Sequence, residues 1–121
     1  MRYGGAEDRL NPIAPPGVDD STLGGYLAVH GRAAAFEGCD GEPYTVAVET
    51  DRSHEGDWAA YLVFVRWAQT GTAVMGHLET DDLTTAESED AARSALEALP
   101  LTEVRRILDE TIRRRADEAA G

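Results

Sequence analysis

The sequence predicts an α+β fold: a four-stranded antiparallel meander followed by two C-terminal helices packed on one sheet face. From Gly25 to Thr80 the apolar residues mostly follow the period of two that is typical of strands. After Thr80 the period changes to about 3.6, which is typical of helices. Helices that follow strands without alternating with them indicate an α+β domain. The length, 121 residues, suffices for one domain with its own core.

The first two strands are predicted on either side of a turn at residues 38–42, which contains Asp-Gly. We expect the first strand to begin at residues 26–29 and to continue to Phe36. The second, residues 44–50, alternates well, so that Tyr44, Val46 and Val48 should share one face.

The third strand, residues 58–67, is the most apolar stretch of the chain and is apolar on both of its faces. This pattern favours a central strand that is covered on one side and partly on the other. A short turn separates it from the fourth strand, residues 72–80. Since helices cover one sheet face, the two-sided pattern predicts a partner or a second copy on part of the other.

The first helix is predicted to begin at a capping box formed by Thr84 and Glu87 and to end at Pro100. The second is predicted over residues 102–116. The proline-rich residues 1–24 are expected to form an irregular N-terminal arm, and residues 25–118 a single domain. No stretch has the pattern of a secretory signal or a membrane span, so we expect a cytoplasmic protein without membrane contact.

The chain is strongly acidic, with a net charge of −12 and 23 acidic residues against 11 basic ones, all of them arginine. This balance argues against nucleic-acid binding by the isolated domain, because phosphate contact requires clustered basic residues. It favours a protein partner, in particular a basic one, or a homodimer. The single cysteine, Cys39, excludes an internal disulfide and a cysteine-based zinc site. No cofactor is predicted.

Two groups of polar residues are candidate ligand or metal sites. His77, Glu79 and Asp81 alternate along a predicted strand, so that an imidazole and two carboxylates would share one face. His54 lies in the acidic loop that precedes the third strand. Solvated strand ends and polar hairpin loops show the same patterns more often than metal sites do.

A second set of residues is predicted to contact a partner protein. Trp67 and Arg66 end the most apolar strand, where an aromatic residue beside an arginine is typical of interface anchors. The other members are carboxylates of an acidic block: Asp82, Glu87, Glu89 and Asp90. Acids at a helix N-terminus also stabilise the helix dipole, which is the alternative explanation of this block.

No nucleophile-elbow, P-loop, dinucleotide or zinc-protease motif occurs in the chain, and no catalytic residues are predicted. The first functional hypothesis is therefore a non-enzymatic interaction or regulatory domain. The alternative is a small-ligand-binding or metal-dependent enzyme that uses His54, His77, Glu79 and Asp81.

Part of the chain resembles the HicB-type antitoxin domain. The resemblance rests on residues 44–49 (YTVAVE), 60–65 (AYLVFV) and 84–92 (TTAESEDAA), and it covers about residues 44–99. That family has a strand meander followed by a capped helix, and it neutralises a small basic RNase. The resemblance implies a protein partner of that kind. The family's usual turn after the second strand is absent here.

Overall fold

The computed structural model describes residues 19–120 and confirms the α+β class. Its elements are helix α1 and strand β1, strands β2 to β5, and helices α2 and α3. In chain order their bounds are Leu23–His30, Ala35–Glu37, Pro43–Arg52, Trp58–Trp67, Val74–Glu79, Thr84–Ala86, Glu89–Glu97 and Leu101–Ala120. None of these helices is both long enough and apolar enough to cross a membrane.

The sheet is an antiparallel meander in the order β1-β2-β3-β4, with β5 also paired to β3. This confirms the predicted meander and the central position of residues 58–67. The β1–β2 hairpin turns at Asp40-Gly41, where Gly41 has a φ of 80°, a left-handed conformation that glycine adopts without strain.

The core lies between one sheet face and the helices. Ala60, Leu62 and Phe64 of β3 are fully buried, as are Val104 and Leu108 of α3. The alternation predicted for β2 is confirmed, because Tyr44, Val46 and Val48 all join this core. All the helices therefore cover the same side of the sheet.

The expected strand at residues 26–29 is wrong, because these residues lie in helix α1. Thr22 caps the helix, its hydroxyl accepting the Gly25 N–H at 3.0 Å. Gly31, with a φ of 67°, ends it by donating its N–H to the Leu27 carbonyl. Residues 1–18 of the predicted arm lie outside the described residues, and residues 23 and 24 already belong to α1.

The predicted capping box is also wrong, because Thr84 lies in β5, opposite Ala60. Strand β4 pairs with only the second half of β3, so the first half still offers unpaired backbone groups that β5 takes up. Helix α2 begins later, with Ser88 as its cap, whose hydroxyl accepts the Ala91 N–H at 3.1 Å.

Tyr44 ties the β1–β2 turn to the core, since its buried ring carries a hydroxyl that donates to the Asp40 carboxylate at 2.7 Å. Burial, and then the hydrogen bond to Asp40, raise the pKa of Tyr44 above its usual range. The folded state therefore holds this proton more tightly than the unfolded chain, whose tyrosine pKa is about 10. Its stabilising effect is present below that pH and is lost as the pH rises through the folded-state pKa.

We therefore expect Tyr44→Phe to lower the free energy of unfolding by about 1–2 kcal/mol at neutral pH, through the lost hydrogen bond to a carboxylate. Above about pH 10 the variant should lose stability less steeply than the wild type. Urea denaturation at several pH values measures both effects. Equal pH slopes for the two proteins would contradict the role assigned to Tyr44.

Candidate functional site: the open face of the sheet

The sheet face opposite the helices carries the candidate site, and we call it the open face. Successive side chains of a strand point to opposite sides, so the residues of β3 that alternate with the buried Leu62 and Phe64 lie here. They form one column: Ala59, Tyr61, Val63, Val65 and Trp67. All but Ala59, which is buried, are partly exposed. The structure therefore places an apolar and aromatic column in the middle of this face.

One end of the open face is apolar. Val74 pairs with Trp67 in register and is 58% exposed. The indole Nε1 of Trp67 donates to the Thr45 hydroxyl at 2.9 Å, which fixes the ring against β2. An aromatic side chain held in one position by a hydrogen bond loses little entropy when a partner binds it.

The other end is acidic and surrounds Tyr61. Glu49 pairs with Tyr61 in register, and Glu79 pairs with the next residue of the column, Val63. Burial, and then four carboxylates, raise the pKa of the Tyr61 phenol. In order of effect these carboxylates belong to Glu79, Glu49, Asp51 and Asp82. A concentrated negative field therefore lies beside the apolar column.

The structure separates the four residues of the predicted ligand or metal site. His77 and Glu79 are neighbours on the open face, with Nε2 and Oε2 3.5 Å apart. Asp81 instead accepts from Arg114 of α3 at 3.0 Å. His54 lies in the loop that precedes Trp58, at the start of β3, whereas His77 pairs with Val65. Trp58 and Val65 are seven residues apart, which is roughly 23 Å along the strand, so the two histidines lie far from each other. Within residues 19–120 no three His, Cys, Asp or Glu side chains are grouped as metal ligands.

The predicted partner-binding residues do not all lie on one face of the sheet. Trp67 lies at the apolar end of the open face, and Asp82 lines a depression beside Tyr61 at the acidic end. Arg66 points the other way, with its guanidinium near Glu42 at 3.5 Å and the Met75 carbonyl at 3.3 Å. Glu89 and Asp90 begin α2, and Glu89 accepts from the Thr50 hydroxyl at 2.6 Å on the helix-covered side. Glu87 precedes that helix.

Sequence reasoning missed Glu49 and Asp51. They alternate with the core residues of β2, so the same period of two that located Val46 and Val48 also places them on the open face. The signal was present in the sequence, but their proximity to Glu79 depends on the strand register.

A groove of about 390 Å³ lies on the opposite side of the sheet, between α2, α3 and the β4–β5 connection. Its floor is apolar and includes Leu96, Leu99 and Ile107. The arginines at its rim are already paired: Arg106 with Glu103 and Glu110, and Arg114 with Asp81. The carboxylates of the lining outnumber its two arginines by one, and both arginines are already engaged, so neither is available to bind an anionic ligand.

Comparison with known proteins finds no matching family model, no matching curated protein and no matching solved structure. The resemblance to HicB-type antitoxin domains therefore stays a prediction.

Proposed function

We propose that this chain is a non-enzymatic protein-interaction domain that binds a basic partner protein on its open face. The observation that carries the proposal is the composition of that face, where an aromatic and apolar column adjoins a cluster of carboxylates. Residues that face away from the core of an isolated domain are normally polar, as in a two-layer α+β fold with one solvated sheet face.

The apolar column would supply the buried centre of such an interface. Large aromatic side chains near the centre of a contact dominate binding energies in alanine scans. Trp67 and Tyr61 lie about 20 Å apart along β3, at six residues of 3.3 Å each, a span that a standard interface covers.

The carboxylates would select the partner by charge. A basic surface placed over Glu49, Glu79 and Asp82 gains from the local field, and the net charge of −12 steers its approach. An acidic surface would be repelled. The resemblance to HicB-type antitoxin domains would make the partner a basic RNase, which the domain would mask.

The first experiment is native mass spectrometry of the tagged chain purified from its host, followed by affinity measurement with the captured protein. We expect Glu49→Arg to weaken binding about tenfold through like-charge repulsion. Asp117→Arg on α3 changes the net charge equally, is also exposed, and should leave the affinity within about twofold of wild type. Higher salt should weaken binding.

Hydrogen exchange of the complex locates the contact independently of the mutations. We expect slower exchange across the open-face strands in the complex. An equal loss of affinity in both variants, or protection confined to the helices, would contradict the proposal. A captured protein without a basic surface would also contradict it.

A further inference from the structure

The outer edge of β4 is a second feature without a partner in the described part of the chain. Strand β4 pairs with β3 on one side, and within residues 19–120 no strand pairs with it on the other. Thr80 donates its N–H to Leu62 of β3, so by alternation the N–H groups of His77 and Glu79 point away from β3. These groups can extend the sheet.

Between Gly76 and Glu79 this edge carries neither lysine nor proline, and the bulge in its pairing lies at the start of the strand. Natural sheets shield their edges with lysine, proline, short strands or bulges. Here Val74 and Met75 are 58% and 55% exposed, the highest values among the large apolar side chains of residues 19–120. A bulge where Val74 meets β3 limits regular pairing to the stretch from Gly76 to Glu79.

A notch of about 410 Å³ lies next to this edge, between β4 and the C-terminal half of helix α3. Leu78 and Glu79 line the strand side of this notch, and Arg115 and Glu118 line the helix side. Both α3 residues are exposed, and neither forms an ion pair within the part of the chain that the structure describes. Opposite charges are thus displayed one helical turn apart.

We propose that two copies of this chain pair through their β4 edges, with Arg115 of each copy facing Glu118 of the other. The symmetry supports a second copy as the occupant. A two-fold axis normal to the sheet makes the added strand antiparallel and keeps both helix layers on one side. The same axis reverses the direction of α3, so the positive position of one helix meets the negative position of its mate.

This arrangement joins two five-stranded sheets into one and satisfies the outward N–H groups of both β4 strands. The pairing is isologous and therefore closes at two copies. The open face stays accessible, so the dimer does not depend on the proposed partner binding.

Two charge-reversal variants of the full chain test the proposal by sedimentation velocity and native mass spectrometry. Arg115→Glu makes both positions acidic, and Glu118→Arg makes both basic. We expect each variant alone to dimerise about tenfold more weakly than the wild type. An equimolar mixture should form a heterodimer of nearly wild-type affinity, because the charges are again complementary.

Both positions are exposed, so the variants should fold, and circular dichroism checks this. A wild-type chain that stays monomeric at about 100 μM would overturn the proposal. Variants that dimerise as tightly as the wild type, or a mixture that forms no heterodimer, would also overturn it. In a wild-type dimer, exchange at the His77 and Glu79 amides should slow as protein concentration rises; unchanged exchange would place the contact elsewhere.

Discussion

Replacing Phe64 by alanine is expected to lower the free energy of unfolding by about 3–5 kcal/mol. Phe64 is fully buried at the centre of β3, and its backbone lies between Val46 of β2 and Leu78 of β4. Its ring also belongs to the core that the sheet shares with α2 and α3. Truncation removes apolar burial and leaves a cavity that three packed elements cannot readily close.

The neighbouring substitution Val65→Ala is the matched control. Val65 lies on the same strand but points to the open face and is only partly buried, so its loss should cost about 1 kcal/mol. Urea denaturation of the two variants gives the comparison. Equal destabilisation would mean that the two faces of β3 are packed to the same degree, which would contradict the assignment of an open face.

The central strand could be predicted because its signal is local and strong. Residues 58–67 are rich in β-branched and aromatic side chains and have no Gly or Pro, so the strand did not depend on knowledge of distant contacts. The Asp40-Gly41 turn had a comparable local cause, because glycine accepts the left-handed backbone there without strain.

Helix α1 was mispredicted because its apolar residues show no clear period. Leu23 packs into the core, and its N–H donates to the Leu99 carbonyl at 2.9 Å, far along the chain. Tertiary contacts of this kind override a strand-like run such as Tyr26 to Val29. The local signals, Thr22 before the helix and Gly31 after it, are short and occur often in loops.

The candidate site was predictable only in part, for a similar reason. Trp67 could be identified as an exposed aromatic at a strand end, whereas the acidic cluster around Tyr61 requires the register of β2, β3 and β4 together. A register shift by one residue would turn Glu49 and Glu79 into the core. The same limitation explains why the sequence placed Asp81 on the same face as Glu79. Strand β4 ends at Glu79, before Asp81, and the Asp81 carboxylate accepts a hydrogen bond from Arg114 of α3.

Thr80→Val is the second substitution with a large expected effect, and its cause is polar. At Thr80 the chain leaves β4, and the threonine hydroxyl accepts the Leu62 N–H at 3.0 Å while donating to the Asp81 carbonyl at 2.8 Å. Leu62 is fully buried, so water cannot replace this acceptor. Valine keeps the shape of the side chain but leaves the buried N–H without a partner.

A buried donor that loses its acceptor costs about 1–3 kcal/mol, and we expect Thr80→Val to lower the free energy of unfolding by about 2 kcal/mol. Thr80→Ser retains the hydroxyl and should cost less than about 1 kcal/mol, since only one methyl group is lost. Faster hydrogen exchange at the Leu62 amide in Thr80→Val, but not in Thr80→Ser, would locate the effect at this bond. If Thr80→Val destabilises no more than Thr80→Ser, the hydroxyl contributes no more than the methyl group, which would contradict the role assigned to this hydrogen bond.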